Sequence, residues 1–140
     1  MELNESIFSY LASYTAVSNI VSKRIYTDES HQNTPHTMPY ITYSRVSEYE
    51  VDTLTEQTSM LIASAYQFDC YAKTRHGARD LAKQVRKAFK GKKGVLGTSG
   101  VTVSAIEKLN AMSDIDRDIK TGEIAYREML EFRIWHYETN

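Results

Sequence analysis

Tyr126 to Tyr137 read Y-R-E-M-L-E-F-R-I-W-H-Y, and apolar and polar residues alternate along this run. Tyr126, Leu130, Phe132 and Ile134 occupy even positions. Arg127, Glu131 and Arg133 occupy odd ones, with Met129, Trp135 and Tyr137 among them. A period of two sends one set of side chains into a core and the other towards water. The run therefore predicts a long strand docked in a sheet. No catalytic motif accompanies it, which points to an architectural or interaction role.

Working back along the chain, residues 60–73 predict a second long strand. Ile62, Tyr66, Phe68 and Cys70 share one face, and Gln67, Asp69 and Lys73 take the other. Over residues 75–90 the period changes: Ala78, Leu81, Ala82, Val85, Ala88 and Phe89 follow helical spacing, which predicts an amphipathic helix. Gly91, Gly94, Gly97 and Gly100 then break it and predict a mobile connection. Residues 101–109 alternate weakly and predict a strand, and 110–123 predict a polar loop. Residues 39–47 (PYITYSRVS) predict a strand, preceded by a polar loop over 27–38 and followed by an acidic connection over 48–58. Leu3, Ile7, Tyr10, Leu11 and Tyr14 suit one face of an N-terminal helix, with Asn4 as a candidate cap; Ala16, Val17, Ile20 and Val21 continue at similar spacing.

The expected fold is α+β: a mostly antiparallel four-stranded sheet packed by an N-terminal helix and a central amphipathic helix, in the order α-β-β-α-β-β. A length of 140 residues suits one domain over 1–140. A net charge of -1 argues against a dedicated nucleic-acid binder. The lone Cys70 forms no internal disulfide, as expected for a protein assembled in a reducing compartment. Neither a signal peptide nor a membrane span is expected.

Four patterns invite chemistry, and each has a simpler reading. Asp114, Asp116 and Asp118 resemble the start of a calcium loop, but Ile119 and Ala125 stand where that loop needs Gly and Glu. His31 and His36 lie in a polar loop near Asp28 and Glu29, where exposed histidines need no metal. Cys70 and His76 suggest a nucleophile and base, yet Cys70 belongs to the apolar face of a strand. The glycine run 91–100 fits no phosphate-loop spacing and follows a helix instead of preceding one. No catalytic residue, metal or cofactor is expected.

Charge separation carries more. Nine Lys or Arg lie between Lys73 and Lys93, among them Arg75, Arg79, Lys83, Arg86 and Lys87, against the single acid Asp80. Glu48, Glu50, Asp52 and Glu56 lie in a stretch without a base. Opposite patches on a nearly neutral chain can match one subunit to the next. These nine named residues are the candidate interface. A rival reading is a sheet-based nucleic-acid-binding module, with exposed tyrosines stacking bases beside the basic helix.

Four segments taken in order resemble the tail-completion, or head-to-tail joining, proteins of long-tailed bacteriophages and prophages, a group similar to the tail terminators. They are K-R-I-Y at Lys23–Tyr26, M-P-Y-I-T-Y-S-R-V-S at Met38–Ser47, the strand-to-helix run Tyr66–Phe89, and E-F-R-I-W-H-Y at Glu131–Tyr137. The resemblance spans nearly the whole chain and brings no catalytic residues. It implies a structural virion protein, assembled in the bacterial cytoplasm and placed at the head-proximal end of the tail. It implies a ring of copies, with a hexamer as the expected size, contacting the tail tube protein and the head connector or stopper. DNA would pass the lumen without specific binding, and no membrane would be involved. The strands over 60–73 and 126–137 are the expected sites of pairing between subunits.

Overall fold

The computed structural model describes residues 2–27, 37–50, 59–97, 100–117 and 124–139. The alternating C-terminal run forms strand β6 (Ile124–Thr139), and the residues before the helix form β3 (Ser59–Ala72). These two pair antiparallel along their whole length, from Ser59 opposite Thr139 to Ala72 opposite Tyr126. β2 (Tyr40–Glu50) flanks β3, and β5 (Thr102–Arg117) flanks β6, both antiparallel. Two short strands complete the sheet: β1 (Ile25–Thr27), parallel to β2, and β4 (Gly94–Val95), antiparallel to β5. The spatial order is β1-β2-β3-β6-β5-β4.

The fold is thus α+β and mostly antiparallel, as expected, but the sheet has six strands. The chain order is α-α-β-β-β-α-β-β-β, not α-β-β-α-β-β. The N-terminal apolar sets form two helices, α1 (Leu3–Ser13) and α2 (Thr15–Val21), separated by Tyr14 in extended conformation. Asn4 is not the α1 cap. It lies inside the first turn, where its backbone carbonyl accepts from the Tyr43 hydroxyl at 2.7 Å and its side-chain oxygen accepts from Tyr66. Asn4 therefore fastens α1 to β2 and β3. Burial pushes the Tyr43 hydroxyl up to about 12, so that it remains a donor at every physiological pH.

The amphipathic run forms α3 (Arg75–Phe89), capped by Thr74, whose hydroxyl accepts from the Gly77 N–H at 3.0 Å. All six of its apolar positions are buried. α3 packs on β3 and β6, and α1 and α2 join it on the same face of the sheet. Phe68, Phe89 and Phe132 meet at the centre, with ring centroids 5.2–5.8 Å apart.

Two further expectations change. The glycine run is tied down instead of mobile at its described residues: Leu96 is fully buried, and Val101 N–H donates to Ser6 Oγ at 3.1 Å. Gly100 is required there, because a Cβ would lie 1.8 Å from the Leu96 carbonyl oxygen. Residues 110–117 are not loop but the outer half of β5.

Candidate functional site

The basic residues of α3 divide between two environments. Arg75 and Arg79, at its start, approach Glu128 of β6; each has a nitrogen 3.5 Å from Glu128 Oε1. Ser113 of β5 donates to the other carboxylate oxygen at 2.6 Å, and Arg75 also lies 5.0 Å from the Tyr126 ring centroid. Glu128 is only 8% exposed. A buried carboxylate is tolerated when cations and hydrogen-bond donors surround it. Arg75 and Arg79 thus serve the chain's own interior before any partner.

Lys83, Arg86 and Lys87, further along α3, face outwards. α3 sits over β3 and β6 and leaves the near face of β5 open. The space between is a cleft of about 420 Å³. Lys83, Arg86, Lys87, Lys90 and, from β5, Lys108 form its walls; Phe89, Phe132 and Ile106 form its floor. Among the described residues, no acidic side chain lines it. Burial of the apolar stripe on β3 and β6 forces this arrangement, because the opposite side of α3 must then carry its cations. The cleft can hold an acidic or amphipathic chain segment: cationic walls give attraction and the apolar floor gives contact area.

Glu48 and Glu50 lie in the exposed end of β2, towards the opposite edge of the sheet from the cleft. Arg45 Nη1 donates to Glu48 Oε2 at 2.7 Å, an exposed pair of small energetic weight. Asp52 and Glu56 lie outside the described residues, as do His31, His36 and Asp118. Among the described residues, Glu48 and Glu50 do not meet the basic cleft within one chain.

The long strands over 60–73 and 126–137, expected to pair between subunits, are the two central strands, each with neighbours on both sides. Edges that no described strand covers lie elsewhere. Among the described residues, β1 covers β2 only at Ile41, Thr42 and Tyr43, and β4 covers β5 only at Thr102 and Val103. The outer edges of β2 from Ser44 to Glu50 and of β5 beyond Val103 carry no described strand. Exposed apolar side chains collect on both: Val46 (55%) and Tyr49 (49%), Met112 (53%) and Ile115 (50%).

The chemical readings fare differently. Cys70 is fully enclosed, and burial, followed by the charges of Asp69 and Glu128, pushes its thiol up, away from an activated nucleophile. His76 is exposed at the start of α3. Asp114 is not a calcium-loop residue but pairs with Arg127 across the β5–β6 ladder at 2.6 Å. The Ile115 N–H and then Arg127 hold its carboxyl below the usual range. Among the described residues no three potential ligands converge on a metal position.

The sheet does bring together a pair that the sequence reading missed. Ser64 and His136 are fully buried, with His136 Nε2 2.9 Å from Ser64 Oγ. Desolvation lowers the imidazole's pKa and favours its neutral form, while Glu48 and Arg45 act in opposite directions on it. The pair sits at the base of a polar recess between α1 and the sheet, also lined by Glu2, Asn4 and Glu48. The alternation contained this signal: Glu128 and His136 share the even register with Leu130, Phe132 and Ile134.

The rival nucleic-acid reading needs the exposed aromatics beside the basic helix. They lie on opposite faces. Tyr49, Trp135 and Tyr137 belong to the helix-free side, with Arg133 5.8–5.9 Å from the ring centroids of Tyr49 and Trp135.

A family model described as tail completion protein gp17 matches residues 5–137. No curated protein matches the chain. Among solved structures, a chain of the virion of a native gene transfer agent particle is similar, with a TM-score of 0.65 and 16% identity. The match covers 98% of this chain and 96% of that one, and at this identity it is a likeness of fold.

Proposed function

This chain belongs to the tail completion protein gp17 family, and from that premise we propose that it completes the tail tube of a phage or prophage particle and joins it to the head. It acts as one structural domain and transforms no molecule. Copies form a closed ring at the head-proximal end of the tail. One side meets the tail tube protein, the other the head connector or stopper, and DNA passes through the lumen without specific contacts. Assembly takes place in the bacterial cytoplasm.

The observation that carries this reading is the placement of unlike patches at opposite edges of one sheet. A basic cleft lies beside β5, and Glu48 and Glu50 stand on the exposed end of β2. Patches that cannot meet within a chain can meet between chains, and a head-to-tail contact whose rotation closes gives a ring.

Complementation tests the joining role. Extracts of a strain lacking this gene would contain heads and tails that fail to unite. Adding the purified protein is expected to restore infectious particles and raise the titre above that of the unsupplemented extract. An unchanged titre with active heads and tails would overturn the joining role.

A further inference from the structure

We propose that neighbouring copies join by antiparallel strand pairing, the outer edge of β5 that no described strand covers in one copy taking the corresponding edge of β2 in the next, with Glu48 of the incoming strand seated against the basic cleft. This deepens the ring reading and rests on it.

Three observations fix the occupant as a second copy. The first is direction. β2 and β3, β3 and β6, and β6 and β5 are all antiparallel, so β2 and β5 run in opposite senses. A rotation about an axis along the strands brings β2 of the next copy beside β5 as one more antiparallel step. It also keeps the helix-bearing faces on the same side.

The second is face. Glu48 opposes Ser64 and Glu50 opposes Ile62 across β2–β3, so both share the side of Ile62, Tyr66 and Phe68 that bears the helices. On the other edge, Ile106 opposes Ile134 and Lys108 opposes Phe132, the same side again. The acidic residues therefore enter on the face where the cleft opens.

The third is level. Glu48, Ser64, Ile134 and Ile106 form one row across the sheet, and Arg45, Tyr66, Phe132 and Lys108 form the row two steps on. In an unstaggered junction, incoming Glu48 lies opposite Ile106 and diagonal to Lys108, within reach of the lysines and arginine of α3. Arg45 of the incoming strand comes opposite Lys108, and its charge is already engaged by Glu48 at 2.7 Å. Exposed edges this long are templates for pairing unless something covers them. Val46 and Tyr49, exposed on β2, lie within the stretch that the junction pairs with β5 between Ser104 and Asn110.

Cross-linking tests it in the full-length chain. Arg45→Cys is combined with Lys108→Cys, the directly opposite pair of the unstaggered junction, and Cys70 stays buried and inert. Within one chain these positions are separated by β3 and β6, about 14 Å of strand spacing, beyond the reach of a disulfide. Any bond between them joins two copies. After oxidation of assembled particles, a non-reducing gel is expected to show a ladder of multiples of one chain that collapses on reduction. A control with Phe8→Cys in place of Lys108→Cys is expected to give at least about tenfold less. If native mass measurement or microscopy shows rings but no ladder forms, the junction is overturned and the ring reading stands. If no multimer exists in solution or in particles, both fall. A cross-linked band with a different virion protein would assign the cleft to that partner and overturn the junction.

Discussion

Converting Lys83, Arg86 and Lys87 together to Glu is expected to leave a folded chain that no longer completes tails. All three are exposed on α3 and line the cleft. Arg86 and Lys87 stand in the last helical turn, where cations favour the helix dipole by about 0.3–1 kcal/mol each. Their reversal therefore costs the fold on the order of 1–2 kcal/mol, small beside a total stability of about 5–15 kcal/mol. At an interface the same change places like charges together, which costs several kcal/mol, about a hundredfold or more in affinity. Arg75 and Arg79 are left intact because their charge surrounds buried Glu128, and reversing them would confuse an interface effect with a folding one. A circular-dichroism melt and the infectious titre separate the two. An unfolded variant would show that these cations serve the monomer, and a normal titre would remove the charge argument.

Phe89→Ala is expected to have the opposite profile, a loss of fold from which loss of function follows. Phe89 is fully buried at the end of α3, with its ring centroid 5.7 Å from Tyr10, 5.2 Å from Phe68 and 5.3 Å from Phe132. It joins α1, α3, β3 and β6. Removing such a ring costs about 3–5 kcal/mol, because the packing around it relaxes only partly. For a chain of this length that lowers the melting midpoint by roughly 10–15 °C. A midpoint within a few degrees of the original would mean that the centre of the core lies elsewhere.

The strongest elements were legible because burial wrote them into the sequence. β3 and β6 lie at the centre of the sheet with the helices against one face, so most of their inward side chains, at every second position, are apolar. α3 shows the same pressure at helical spacing. The outer half of β5 was hidden for the converse reason. Asn110 to Ile115 is exposed on both faces, and nothing forces N-A-M-S-D-I to alternate. β1 and β4 are too short for any period, and β4 emerges from a glycine run whose local signal is a break. Alternation was also followed less far than it reaches: it places Glu128 and His136 among inward-facing residues, but their polarity masked the register. Asn4 looked like a cap by residue type, whereas its partners are tyrosines about 40 and 60 residues away.

For the candidate site, residue type and charge sign were legible and pairing was not. The sequence pointed to the basic side of α3, but not to the division in which Arg75 and Arg79 turn to Glu128 while Lys83, Arg86 and Lys87 remain at the cleft. It pointed to pairing between strands but chose the longest ones. Length reflects a central position, and free edges depend on which neighbours are short, a property of the assembled sheet.

Electron microscopy of particles produced without this gene tests most directly whether the protein's work is architectural. The account predicts DNA-filled heads lying apart from tails, overlong tail tubes, or both; separated parts would assign the joining role and overlong tubes the terminating one. Complete, infectious virions with tails of normal length would contradict it.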